Sequence, residues 1–216
     1  MRNKLKISSH SFYAVVAKRI LDLLFSVSVI LFLSPLFLII GITLYCMSPR
    51  GGIFYGHQRI GKHHKLFTCW KFRTMIPNAK EKLQEILEKN PDMAKEFQET
   101  HKLKRDPRII KGIGHFLRRT SLDELPQFFN VLLGQMSVIG PRPVTEAELV
   151  YYQDNVEVLL SIHPGITGLW QISGRNDISY EKRVSLDLLY VKTLKLSLDL
   201  KIFIKTFAVI LRGKGY

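Results

Sequence analysis

The chain has 216 residues, of which 46% are apolar, 23% charged and 11% aromatic, with 14 Gly, 9 Pro and 2 Cys. That length holds one domain or two with a sizeable core, and two cysteines, Cys46 and Cys69, exclude a disulfide framework or a four-ligand zinc site. Against 18 Asp plus Glu stand 32 Lys plus Arg, and the resulting net charge of +14 points to a polyanionic partner: nucleic acid, anionic lipid or a phosphorylated substrate.

The charge excess is N-terminal. Residues 1–75 carry eleven Lys and Arg and one acid, Asp22, and within them lies Leu23 to Met47, 25 residues without a charge. That stretch is long enough for helix to cross a hydrocarbon core of about 30 Å. It exceeds the apolar core of a cleaved signal peptide, and no small-x-small site follows Met47, so it is expected to stay. Arg2, Lys4, Lys6, Lys18 and Arg19 precede it and Arg50, Arg59, Lys62, Lys65, Lys71 and Arg73 follow it, so the positive-inside bias draws both flanks to the cytoplasm. Ser34-Pro35 divides the run near its middle. An interior proline removes one helical hydrogen bond and bends the helix, and the Ser34 hydroxyl can satisfy the freed carbonyl. The expectation is a re-entrant helix whose arms enter and leave by one face; the alternative is an ordinary spanning helix with a proline kink.

After Ser48-Pro49-Arg50-Gly51-Gly52, Ile53-Phe54-Tyr55 and Leu66 to Phe72 predict two strands of a small hairpin. Asn78 to Asn90 and Asp92 to His101 predict two solvated helices. Leu125, Phe128, Phe129, Leu132 and Leu133 follow the spacing of a buried helix face ended by Gly134. A polar helix is expected from Thr145 to about Ile162. Leu200, Phe203, Ile204, Phe207 and Leu211 then form one stripe away from Lys201, Lys205 and Arg212, for a helix in the membrane interface or packed on the core. The fold class is α+β, without the strand and helix alternation of a Rossmann sheet.

Chemistry concentrates in Arg118-Arg119-Thr120-Ser121-Leu122-Asp123-Glu124-Leu125-Pro126-Gln127. Ser121-x-x-Glu124 matches a capping box, and Asp123 as cap would place Pro126 among donors that need no partner. Either way two carboxylates lie at the positive end of a helix, where carboxylate pKa falls and phosphate is attracted. Lys71-Phe72-Arg73 sets two cations on one strand face, which suits phosphate and also describes an exposed strand. Arg142, between Pro141 and Pro143, is a guanidinium on a fixed backbone, ready for a phosphate or merely part of a rigid turn. Trp170 and Arg175 suit a nucleotide, although a Trp is more often core. His63-His64 reads as solvated.

In this order, Ser34-Pro35, Lys-Phe-Arg-Thr-Met, Ser-Leu-Asp-Glu-Leu-Pro-Gln, Gly-Pro-Arg-Pro and Pro-Gly-Ile-Thr-Gly-Leu-Trp-Gln-Ile-Ser-Gly-Arg-Asn-Asp resemble the bacterial sugar transferase family over residues 17–216. Lys102 to Arg108 and the closing Val-Ile-Leu-Arg-Gly-Lys-Gly-Tyr look most like its galactose-1-phosphate branch. The resemblance implies a monotopic membrane enzyme: residues 1–50 a tail and re-entrant helix, residues 51–216 a mostly helical cytoplasmic catalytic domain with interfacial helices, at the bacterial inner membrane. It implies transfer of a hexose 1-phosphate, galactose before glucose, from a UDP-sugar to undecaprenyl phosphate with release of UMP, as the first membrane step of exopolysaccharide, capsule or O-antigen synthesis. Asp123 would be the nucleophile, forming an aspartyl phospho-sugar ester. Glu124 would hold Mg²⁺, Arg118 and Arg142 would clamp phosphate, and Lys71, Arg73, Arg175 and Asp187 also match family positions, the last two for nucleotide or sugar. The implied partners are the UDP-sugar, undecaprenyl phosphate and membrane lipid, with no nucleic acid; a homo-oligomer and other polysaccharide-assembly enzymes stay open. A non-catalytic basic membrane scaffold is the remaining alternative.

Overall fold

In the computed structural model the described residues are 16–100, 103, 105–174 and 178–211. Two apolar helices come first, α1 (Lys18–Phe32) and α2 (Ser34–Met47), meeting at Leu33 with a bend of 60°. Pro35 has no N–H for the Leu31 carbonyl, and the Ser34 hydroxyl donates to that carbonyl at 2.9 Å, as expected. Among the described residues no single helix is long and apolar enough to cross a membrane, whereas the bent pair together meets that length and composition.

The start of α1 corrects the charge reading. Lys18 and Arg19 are internal ties rather than a free basic flank: Lys18 Nζ lies 2.7 Å from Asp199, and Arg19 donates to the carbonyls of Val131 and Met136 at 2.7 and 3.3 Å. Asp22 accepts from the Ser137 hydroxyl at 2.7 Å and the Val138 N–H at 3.0 Å. Arg2, Lys4 and Lys6 lie outside the described residues. At its far end α2 buries Ile40, Gly41 and Leu44, and its apolar cluster includes Phe72, Ile110 and Leu117. Both outer ends of the bent pair are thus docked on one body.

The hairpin is longer on its first strand than the sequence suggests. β1 (Phe54–Ile60) pairs antiparallel with β2 (Leu66–Phe72), placing Tyr55 opposite Lys71, His57 opposite Cys69 and Arg59 opposite Phe67. Gln58 and Arg59 hide the strand pattern because their cross-strand partners, not their own polarity, keep them extended. α3 (Ala79–Lys89) and α4 (Pro91–Thr100) match expectation. α5 (Ile113–Thr120) follows, then a 3-10 turn, Leu122–Glu124, and α6 (Gln127–Leu132), with Gly134 at φ 76° beyond it.

The buried face of α6 is not the expected one: Gln127, Asn130 and Val131 are buried, while Phe129 and Leu133 are 39% and 66% exposed. Asn130 is the reason. Its Oδ1 accepts from the Trp70 N–H at 3.0 Å and its Nδ2 donates to the Thr68 carbonyl at 2.7 Å, so one amide side chain completes the open edge of β2 as another strand would.

β3 (Ser137–Ile139) and β4 (Gly165–Thr167) pair in parallel, and Gly140, Gly165 and Gly168 let the two loops touch backbone to backbone; a Cβ at Gly165 would overlap the Gly140 nitrogen. The polar helix expected from Thr145 is instead a 3-10 stretch, Ala147–Asn155, broken at Gln153 (φ 46°), then the single turn α7 (Val156–Leu159). α8 (Tyr180–Lys192) and α9 (Leu196–Leu211) close the chain. In α9, Asp199 and Ile202 are buried, and Leu200, Ile204 and Phe207 of the predicted stripe point outward. Phe203 packs edge-on against Phe25 of α1 at 5.1 Å, and Phe129 of α6 against Phe37 of α2 at 5.8 Å. Four adjoining helices therefore present apolar residues outward, Leu31, Phe32, Leu38, Leu133 and Ile204 the most exposed among them.

Candidate active site

Asp123 sits in the 3-10 turn between α5 and α6, reached through Ser121 in the left-handed conformation (φ 58°). Neither capping reading holds: no side-chain hydrogen bond caps the turn from Ser121, and α6 begins after Pro126 with no side-chain cap. The tight turn leaves both carboxylates within reach of Lys71. Lys71 of β2 reaches across, with Nζ 2.6 Å from Glu124 Oε1 and 4.0 Å from Asp123 Oδ2. Arg118, on the last turn of α5, donates from Nε to the Thr74 hydroxyl at 2.9 Å, and its charge acts on Asp123.

The pKa expectation is reversed. Asp123 is only 9% exposed, and burial pushes its carboxyl up to about 6, with the Glu124 charge adding and Lys71 and Arg118 opposing. The short turn contributes no helix dipole large enough to offset desolvation. Burial works against the Lys71 ammonium too, but Glu124 and Asp123 outweigh it and hold the lysine charged above its ordinary range. At neutral pH Asp123 is thus a mostly ionised, weakly hydrated carboxylate that shares its nearest cation with a neighbour.

Arg73, expected beside Lys71, does not join this group. β2 ends at Phe72, so strand alternation no longer places Arg73 beside Lys71. Its guanidinium donates to the Gly52 carbonyl at 2.5 Å, the Ser48 carbonyl at 2.6 Å, the Ser48 hydroxyl at 3.0 Å and the Met75 carbonyl at 3.1 Å. It staples the exit of α2 to the strand, and Gly51 leaves the space that the guanidinium fills.

Arg142 stands on the same side of the hairpin as Lys71, and the buried Cys69 thiol feels the charges of both as well as those of Glu124 and Arg59. A small cleft is lined by Arg142, Val144, Tyr152, Trp170, Tyr180, Arg183 and Asp187. Arg183 lies 4.9 Å over the Trp170 ring, and Tyr151 and Tyr180 stack at 4.2 Å. Asp187 is buried and accepts from the Tyr152 hydroxyl at 2.9 Å. Its Oδ1 makes no hydrogen bond of ordinary geometry, although the Arg142 backbone N–H is near enough to favour the charged form, and burial pushes this carboxyl up to about 7. Arg175, Lys102, Lys104 and the last five residues of the C-terminal motif lie outside the described residues. His63 and His64 are exposed, as read.

Sequence reasoning missed Thr74, Asn130, Arg59, Tyr152, Tyr180, Arg183 and Glu148. The last had a legible signal. Thr145-x-x-Glu148 has the spacing of a capping box, and Glu148 Oε2 accepts from the Thr145 N–H at 2.7 Å, the reach-back half of that motif, which Ser121-x-x-Glu124 does not make.

Among the described residues no three His, Cys, Asp or Glu side chains form a metal cluster. Mg²⁺ is commonly held by one or two carboxylates with phosphate oxygens and water, so the Asp123 and Glu124 pair, with Glu124 the more open, fits such an ion when a diphosphate is present.

The family model for bacterial sugar transferases matches residues 13–213. The chain is 48% identical over 92% of its length to an undecaprenyl-phosphate galactose phosphotransferase of Salmonella typhimurium, and spans 41% of that relative. It is 46% identical over 93% of its length to the exopolysaccharide production protein ExoY of Sinorhizobium fredii, and spans 88% of it. A UDP-glucose:undecaprenyl-phosphate glucose-1-phosphate transferase of Klebsiella pneumoniae is 39% identical over 94% of the chain, which spans 42% of that protein. The chain belongs to the bacterial sugar transferase family.

Proposed function

We propose that this protein transfers a hexose 1-phosphate from a UDP-sugar to undecaprenyl phosphate, releasing UMP, as the first membrane step of bacterial polysaccharide synthesis. The observation that carries the reading is Asp123 itself: a buried carboxylate whose lysine lies nearer to Glu124. Such a group is ionised but poorly solvated at neutral pH, which suits a nucleophile. Asp123 attacks the β-phosphorus, the bond to the UMP oxygen breaks, and the sugar phosphate stays on the carboxylate as an ester. The lipid phosphate oxygen then attacks that ester and frees Asp123. Lys71 and Arg118 offset the repulsion between the carboxylate and the incoming diphosphate, and Arg142 takes phosphate oxygens from the aromatic cleft, where Trp170 and Tyr180 suit the nucleoside or sugar. Mg²⁺, held by Glu124, would supply further charge neutralisation on the diphosphate.

Galactose is favoured because the galactose-named relative is the more similar, and the glucose-named one keeps UDP-glucose as the second reading. Docking of both ends of the bent helix pair on one body supports a re-entrant arrangement on the cytoplasmic face. Arms of 15 and 14 residues are about 22 and 21 Å long. Bent by 60°, with both outer ends at the surface, they reach a depth of about 11 Å, less than half of a hydrocarbon core of about 30 Å. The exposed apolar residues of α6 and α9 would lie in the same interface. UMP release, measured over a panel of UDP-sugars with undecaprenyl phosphate, tests the reaction: UDP-galactose or UDP-glucose should turn over, and turnover of UDP-N-acetylhexosamines alone refutes both.

A further inference from the structure

Glu148 and Arg59 carry no role in the reaction described above, yet they meet Arg142, one of the two arginines that line the aromatic cleft. Glu148 divides its carboxylate between two guanidinium groups: Oε1 accepts from Arg142 Nη1 at 3.0 Å and Oε2 from Arg59 Nη1 at 2.8 Å. Oε2 also accepts from the Thr145 N–H at 2.7 Å and the Thr145 hydroxyl at 2.9 Å. Arg59 is fixed in turn by the Pro143 carbonyl at 3.3 Å and by His57 Nδ1 at 3.2 Å, and β1 is bridged to the proline turn by the Ile60 N–H to Val144 carbonyl bond at 2.9 Å. The Arg59 side chain is 13% exposed and the Arg142 side chain 39%. The inner arginine is held by Glu148, Pro143 and His57, and among the described residues the outer one makes one side-chain hydrogen bond, to Glu148.

Two like charges this close repel, and the carboxylate between them is what makes their closeness tolerable. The His57 imidazole, held neutral by burial and by the neighbouring Arg59 charge, accepts from Arg59 instead of adding a third cation. Burial opposes the Glu148 carboxylate, and Arg142, the Thr145 N–H and Arg59 overcome it, so Glu148 stays ionised below its ordinary range.

We propose that Glu148, backed by Arg59, is a positioning residue that holds the Arg142 guanidinium at the cleft in the orientation that receives the diphosphate of the nucleotide. This rests on the reading of Arg142 as a phosphate ligand and deepens it. An arginine on a flexible stem loses rotamer freedom when it binds, and Glu148 has already removed that freedom before the ligand arrives.

Glu148→Gln separates positioning from capping, because glutamine also closes a capping box while it cannot serve two guanidinium groups. UDP binding is read by titration calorimetry and, in parallel, KM and kcat for the UDP-sugar are measured in wild type, Glu148→Gln, Arg142→Gln and the double variant, with Tm recorded for each. The expected result is a UDP affinity and a KM each weakened about tenfold in Glu148→Gln, with kcat within about threefold and Tm within about 2 °C of wild type. In the Arg142→Gln background the same change should add less than about twofold. Unchanged or tighter UDP binding in Glu148→Gln overturns the proposal, as do penalties that multiply in the double variant or a fall in Tm with KM unaltered. Absence of UDP-sugar turnover by wild type that still binds UDP counts against the proposed reaction and leaves the calorimetric comparison to decide this one.

Discussion

At the foot of α1, Lys18 meets Asp199 at 2.7 Å, with the Tyr190 hydroxyl 2.7 Å from the other carboxylate oxygen; at the head of α6, Lys71 meets Glu124 at 2.6 Å and stands 4.0 Å from Asp123. Both places bury a carboxylate near a lysine. In the first every group has a close partner and the result is a tie between α1 and α9. In the second one lysine serves two acids, and the acid left with less, Asp123, is the group assigned to the chemistry. A buried charge that is fully paired holds structure, and one that is underpaired is held ready for a ligand that completes it.

The largest effect expected from breaking this contrast is at Asp123. Asp123→Asn should lower turnover on the order of 10⁴-fold or more, since the proposed covalent bond forms on this carboxylate. It should also stabilise the protein. The native carboxyl has a pKa of about 6 against 3.8 for the free group, so ionisation is disfavoured in the fold, and stability falls as pH rises between those values and stays lower above them. Removing that charge at pH 7.5 should raise stability by roughly 1–3 kcal/mol, a rise in Tm of a few degrees.

The tie should behave in the opposite way. Asp199→Asn removes the ion-pair partner of the Lys18 ammonium, leaving it the Asp22 charge alone, and should cost about 3 kcal/mol in denaturant unfolding, while Lys18→Met with Asp199→Leu should recover most of the loss. Equal penalties for the single and double variants would show that the pair does not act as a unit.

A smaller effect sharpens the comparison at the reactive end. Lys71 lowers and Glu124 raises the Asp123 pKa. The acid limb of adduct formation, near pH 6 in wild type, should therefore move to higher pH in Lys71→Met and to lower pH in Glu124→Gln, measured as single-turnover rates at constant ionic strength. Movement in the same direction for both would break the assignment of their charges. The mildest change is at the bend: in a background of Cys46→Ser and Cys69→Ala, single cysteines near Lys4 and Lys62 should both label from the cytoplasmic side. Periplasmic labelling of the first would make the bent pair a crossing one.

Much of the chain was legible because its signals are local. Periodicity gives α3 and α4 almost to the residue, Pro35 gives the bend, and Gly134 the end of α6. The failures share a cause, which is dependence on distant partners. Lys18 and Asp199 are 181 positions apart, so a count of flanking charges could not reveal that Lys18 is spent inside the protein. Asn130 finds β2 62 positions upstream and turns α6 so that Phe129 and Leu133 face outward. Arg73 fails the alternation rule because its strand ends one residue earlier. At the site, Asp123, Glu124, Lys71, Arg118 and Arg142 were all named from sequence, but the direction of the Asp123 shift needed its burial, which no spacing shows. Ser121-x-x-Glu124 and Thr145-x-x-Glu148 match the same four-residue pattern, and only the second makes the reach-back contact, the first being entered through the left-handed turn at Ser121.

The central claim is that Asp123 becomes covalently bonded to the sugar phosphate, and mass spectrometry of the trapped protein tests it most directly. Incubation with UDP-galactose and Mg²⁺ in the absence of undecaprenyl phosphate, followed by acid quench and digestion, should yield a hexose-phosphate adduct on the peptide containing Asp123, with stoichiometric UMP and no adduct in Asp123→Asn. An adduct on Glu124 or any other residue, or turnover that proceeds undiminished in Asp123→Asn, contradicts the account.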